Sequence, residues 1–191
     1  MRIALLLALV CGVLACAAEN VGQLLALDRA GALHGQIWRL WTGHLVHYSA
    51  QHAALDITAL FVLAAIAERE MGARATGALL LLGAPVISLC LLLAAPGMLL
   101  YKGSSALSAM LGVAGGAWIW RRAPRLRAAL MVVGGVALVK TLCDALGYLP
   151  GFSSVPGGVR VAWQAHAIGA AFALAWVMLV KPPAAPHAAH P

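Results

Sequence analysis

Of the chain's 191 residues, 63% are hydrophobic and only 10% are charged. A soluble globular domain carries about 25% charged residues, so a water-soluble fold is excluded and a lipid-embedded one is indicated. The net charge of +7 does not signal nucleic acid either: Arg121, Arg122, Arg125 and Arg127 cluster between two apolar runs and the other charges are scattered, a loop pattern of membrane proteins.

Six apolar segments follow along the chain, at roughly residues 3–18, 45–67, 75–95, 104–120, 128–149 and 161–180. Their lengths suit helices crossing a hydrocarbon core, for which about 17–25 residues suffice. The first segment is ambiguous. Arg2, an apolar run and then small residues resemble a secretory signal, and Val13-Leu14-Ala15-Cys16 looks like a poor lipoprotein cleavage site. Retention as a first helix is preferred, because it gives the even helix count that the charge pattern supports. Residues 19–44 are the longest non-spanning stretch, and Trp38 and Trp41 within it suit the membrane–water interface.

The breaks between later segments carry turn or charge signals. They are Glu68-Arg69-Glu70-Met71-Gly72, Pro96-Gly97, the arginine cluster, and Pro150-Gly151 through Pro156-Gly157-Gly158. Lys140 and Asp144 lie four residues apart on one face of the fifth segment and read as a structural ion pair. Cys11, Cys16, Cys90 and Cys143 sit in apolar runs and read as buried free thiols. Residues 1–181 form one membrane domain, and the Pro/Ala/His-rich stretch 182–191 is expected to be a disordered tail.

With the N-terminus inside, eight basic residues fall on the cytoplasmic side and four on the outer side. The bias favours an N-in, C-in topology. Segments two, four and six then all start on the outer side. Segment two opens with His44, His47, His52 and Asp56, segment four with Gly103-Ser104-Ser105-Ala106, and segment six with Ala165-His166-Ala167-Ile168-Gly169. Small residues at Ser105, Ala109, Gly112 and Gly116 on one helix, and at Gly169 and Ala173 on the other, allow close packing that brings Ser105 to His166. A serine beside an imidazole is the minimum for an activated nucleophile. Ser105 is favoured over Ser104, which is turned about 100° around the helix, and over Ser108, one turn deeper. A metal site drawn from His44, His47, His52, Asp56 and His166 is the rival, but there is no H-E-x-x-H and it leaves Ser105 unexplained.

These motifs resemble those of rhomboid proteases. Trp38-Arg39, then His47 and His52 with Asp56 four residues on, resembles their W-R and H-x4-H-x3-N pattern. Glu68 and Gly72 match the glutamate and glycine that close the second helix. Gly103-Ser104-Ser105-Ala106 resembles G-x-S-G, and Ala165-His166-Ala167-Ile168-Gly169 resembles A-H-x-x-G. The resemblance implies an all-α, six-transmembrane-helix bundle in a bacterial inner membrane, with its active site toward the periplasm. It implies a serine protease with Ser105 as nucleophile and His166 as general base, His52 and Asp56 on the oxyanion side, no metal and no cofactor. The compact form and Tyr101-Lys102-Gly103 look like the rhombosortase branch, which implies membrane-anchored substrates ending in a Gly-Gly motif, a helix and a basic cluster. Three positions depart from the family: Ala106 for glycine, Ala109 where a tyrosine stacks on the histidine, and Asp56 for asparagine. An ionised carboxylate cannot donate a hydrogen bond, so Asp56 helps an oxyanion only when protonated, or else orients His52. The departures leave a catalytically inactive relative that binds transmembrane segments as the alternative.

The charge bias yields a topology test. A reporter active only outside the cytoplasm works when fused within 150–160 and is silent when fused after Arg122. The reverse pattern would remove the shared outer face.

Overall fold

The computed structural model describes residues 1–148 and 162–180. The Pro/Gly break at 150–158, Arg160, Lys181 and the tail 182–191 lie outside the described residues. The helices in chain order are α1 (Arg2–Ala15), α2 (Glu19–Leu25), α3 (Arg29–Leu33), α4 (Arg39–Thr42), α5 (Ala50–Met71), α6 (Ala73–Ala94), α7 (Ser105–Arg122), α8 (Arg127–Leu146) and α9 (Trp163–Leu179). Among the described residues three helices are long and apolar enough to cross a membrane: α5, α6, and α8 together with the 3-10 turn before it (Pro124–Leu126). The shorter apolar helices are α1 and α9. The 19–44 stretch, read as a loop, carries three short helices.

One two-residue pairing breaks the helical rule. Strands β1 (Leu27–Asp28) and β2 (Leu100–Tyr101) run antiparallel, Leu27 opposite Tyr101 and Asp28 opposite Leu100. It ties the 19–44 stretch to the residues just before Ser105. Arg39 holds that stretch from within. Its buried guanidinium donates to Gln23 O (2.9 Å), Ala26 O (2.6 Å) and Gln36 Oε1 (2.6 Å). Arg29 Nη1 donates to Leu92 O at 2.7 Å, pinning the stretch to the end of α6. Trp38 donates to Leu24 O at 3.4 Å, and Trp41 reaches further. Pro85 lies inside α6 and has no N–H for the carbonyl of Leu81, four residues earlier. The Trp41 indole N–H takes up that carbonyl at 2.9 Å.

Segment two was expected to begin near 45, but α5 starts at Ala50. Ser49 is extended (φ −155°) and its side chain accepts from His52 N at 3.1 Å, an N-cap that fixes the start. The chain turns at Gly72 directly into α6. The core gathers Leu60, Ala64, Leu79, Ile87, Leu91, Met110, Leu111 and Ala173 from α5, α6, α7 and α9. No residue of α8 is buried as a whole, backbone included. There Lys140 Nζ meets Asp144 Oδ2 at 2.6 Å, with the carboxylate side chain 3% exposed. Arg121 and Arg122 stack over Trp118 at 5.6 and 5.4 Å. All four cysteines are free, but only Cys11 is buried, and Cys16, just past α1, is exposed.

The start of α1 is held by α5. A helix leaves its first N–H groups without intrahelical partners. The buried Glu68 carboxylate accepts from Arg2 N (2.8 Å), Ile3 N (3.1 Å) and Ala4 N (3.3 Å). Opening those bonds strands the buried Ala4 N–H, at about 1–3 kcal/mol for a buried group left unpaired. Glu68→Ala is therefore expected to lower the thermal midpoint of the purified protein clearly, and Glu68→Gln by less, because its amide oxygen still accepts. Equal midpoints for wild type and Glu68→Ala would show that α1 does not depend on this anchor.

Candidate active site

The site assembles where α5, α7 and α9 begin. Ser105 is the first residue of α7, with Ser104 as its N-cap. Ser105 Oγ lies 2.8 Å from His166 Nε2. Both residues are half-buried, so the pair is sheltered yet reachable.

Helix α9 can bring His166 this close because of Gly169. A β-carbon there would lie 2.6 Å from the Ala106 carbonyl oxygen, a backbone atom of α7 that cannot yield. The close approach is made at that point and not along the whole expected stripe. Gly112 faces Leu63 of α5, and Gly116 faces Leu130 of α8. Helix α7 is packed on several sides, so its small residues serve different neighbours. Among the described residues no aromatic ring pairs with His166, in keeping with Ala109 at the position four residues after Ser105. Its place is set by the α7–α9 packing.

His52 and Asp56 lie one turn apart on α5 and meet the start of α7. Asp56 Oδ2 accepts from Ser104 N at 3.0 Å and Ser105 N at 3.1 Å. His52 Nε2 is 3.2 Å from the same oxygen, and His47 Nε2 is 3.6 Å from it. The tautomer of His52 follows from its other nitrogen. Nδ1 accepts from Tyr48 N at 3.4 Å, so Nε2 carries the proton and donates to Asp56. The Tyr48 ring stacks on His52 (5.9 Å, 12°), and its hydroxyl donates to Leu100 O at 3.0 Å. Gly103 takes φ +134°, in the region that favours glycine. A β-carbon there would sit 3.1 Å from His52 Cε1 and 3.2 Å from Asp56 Oδ2.

The remaining candidates are more remote. His47 Nε2 is 3.4 Å from the buried Ser104 Oγ and packs edge-on against His52. His44 is fully buried and bonds away from the site, to Ala84 O (3.2 Å) and Ser88 Oγ (3.0 Å). Among the described residues no group of three His, Cys, Asp or Glu is arranged to hold a metal ion. Sequence reasoning missed two supports. Tyr48, four residues before His52, fixes that ring, and Tyr101 packs edge-on against His44 while donating to Gly103 O at 3.0 Å. A cavity of about 720 Å³ opens beside Tyr48, lined by Glu19, Gln23, Asp28, Arg39 and Lys102 among others.

A helical membrane protein that sets a serine and a histidine at hydrogen-bond distance, on helices far apart in sequence, has the outline of an intramembrane hydrolase. The rhomboid domain family model matches residues 34–183, most of the chain. The protein belongs to the rhomboid family, whose members are typically intramembrane serine proteases. No curated protein matches the chain.

The Gly169 contact gives a direct test of the packing. Gly169→Val forces α9 away from Ala106 O, with overpacking expected to cost about 1–3 kcal/mol, read as a lower thermal midpoint. Gly134→Val on the exposed α8, where a β-carbon meets open space, is expected to change the midpoint far less. Equal shifts for the two would show that Gly169 does not set the approach.

Proposed function

We propose that the protein is an intramembrane serine protease acting through Ser105 and His166. The observation that carries the reading is the 2.8 Å contact between Ser105 Oγ and His166 Nε2. Ser105 Oγ attacks the scissile carbonyl carbon while His166 takes the hydroxyl proton. His166 then returns that proton to the leaving amine as the C–N bond breaks, and the acyl-enzyme forms. Water or an amine resolves the ester, again with His166 as base. The oxyanion is received by the N–H of Ser105 and by His52 Nε2–H, donors worth about 3–4 kcal/mol each in comparable sites. Asp56 belongs to this side of the site and holds His52. His47 is a structural hydrogen-bonder. The chemistry needs no cofactor.

Substrates are membrane-anchored proteins. The Tyr101-Lys102-Gly103 sequence and the compact chain support the rhombosortase branch, whose substrates carry Gly-Gly, helix and basic tails. The setting is a bacterial inner membrane, with six spans, both termini inside and the site toward the periplasm. The second reading, an inactive relative that binds transmembrane segments, is favoured by one observation: the Asp56 carboxylate sits on the donors an oxyanion needs.

Mutagenesis separates the two. Ser105→Ala abolishes cleavage of a helical substrate, and His166→Ala comes close to the same. Residues acting as one unit are non-additive, so the double variant is no worse than either single. Ser104→Ala keeps activity. Cleavage by purified Ser105→Ala at the wild-type rate would sink the protease reading.

A further inference from the structure

The oxyanion donors of this site are already in use. Ser105 N–H and His52 Nε2–H, the pair proposed above to receive the oxyanion, both point at one oxygen, Asp56 Oδ2, at 3.1 and 3.2 Å. Ser104 N–H is a third donor to it at 3.0 Å. An oxyanion is stabilised by donors about 2.7–3.1 Å from the position it will occupy, and here an anion of the protein's own holds that position. Asp56 is 9% exposed. Gly103, lacking a side chain, lets the α7 backbone close over it, since a β-carbon there would come within 3.2 Å of Oδ2. A tetrahedral oxyanion cannot share the place, because like charges at such a separation exclude one another.

We propose that Asp56 is a built-in occupant of the oxyanion hole, which the substrate carbonyl must displace before Ser105 is acylated. The inference rests on the serine protease reading. The carboxylate has somewhere to go. His47 Nε2 is 3.6 Å from Oδ2 and also 3.4 Å from Ser104 Oγ. A side-chain rotation that gives up the two backbone N–H groups and His52 Nε2–H brings the carboxylate to His47 and stays within the polar cluster. Displacement then costs the charge-assisted bonds to Ser104 N–H, Ser105 N–H and His52 Nε2–H, and only a substrate whose carbonyl enters the hole offsets them. The resting enzyme thereby resists acylation by small electrophiles, and Asp56 acts as a positioning residue that gates the nucleophile's partner site.

The test is the rate at which an alkyl fluorophosphonate labels Ser105 in detergent-purified protein. In that reaction Ser105 Oγ forms the bond to phosphorus, fluoride leaves, the hydroxyl proton passes to His166, and the phosphoryl oxygen occupies the hole. Asp56→Asn is close to isosteric and removes the charge. It is expected to label about tenfold faster than wild type, the change that follows from losing one charge-assisted bond's worth of hold. Asp56→Ala labels faster as well, and excess sodium formate slows it by refilling the vacated hole while leaving wild type unaffected. Thermal melting of all three proteins accompanies the rates. Folded Asp56→Asn labelling no faster than wild type overturns the inference alone. Loss of folding in both variants overturns it too, because the carboxylate is then a structural cap. If Ser105 is labelled in none of the proteins, the protease reading falls and this inference falls with it.

Discussion

The constraint on which this fold depends is that backbone polar groups in an apolar medium must find partners inside the protein. The chain meets it with a small set of side chains placed at helix ends and interruptions. Glu68 takes the first N–H groups of α1. Asp56 takes those of Ser104 and Ser105 at the start of α7. Trp41 takes the carbonyl that Pro85 leaves open in α6. Arg39 and Arg29 take carbonyls at the ends of α2 and α6. Each of these contacts joins segments distant in the chain, so satisfying the backbone and fixing the tertiary arrangement are the same event. In a protein with 10% charged residues, several of the few charges are spent on this task.

The candidate site is a product of that arrangement. Helix α7 begins at Ser105, and its N-terminal donors are held from α5, which orients Ser105. Gly169 then lets α9 press against the Ala106 carbonyl and present His166 at 2.8 Å. A membrane interior supplies no hydrophobic force between helices, so close backbone approach at small residues is what decides which helices meet. The serine and histidine are thus brought together by packing, and a local motif alone does not suffice.

Much of this was legible in the residues. Hydrophobic run lengths located α1, α5, α6, α7, α8 and α9 to within a few residues, because apolar composition over such spans has few other uses. The short helices between 19 and 44 were not legible, since helices of four to seven residues have no measurable periodicity and are held by Arg39 rather than by pattern. The start of α5 was placed early because Leu45 and Val46 continue the apolar run, whereas the Ser49 cap decides the boundary. Ser105 and His166 stood out as polar groups at helix starts on one side. The bonding of Asp56 did not, because it turns on a side-chain rotamer and on how near Gly103 lets the α7 backbone come. Likewise the glycines at 112 and 116 gave a true signal of tight packing but no information about which neighbour they serve.

The sequence separations of these contacts bear on how the site is made during synthesis. Asp56 is 49 residues before Ser105, and His166 is 61 residues after it. The partners of the α7 N-terminus on α5 have therefore emerged before α9 exists. While the chain is still growing, Ser105 can have its helix seated and its N–H engaged without a base beside its hydroxyl. Insertion of α9 is the step that completes the pair, so on the proposed mechanism a nascent or truncated chain exposes a serine with no more reactivity than an ordinary alcohol.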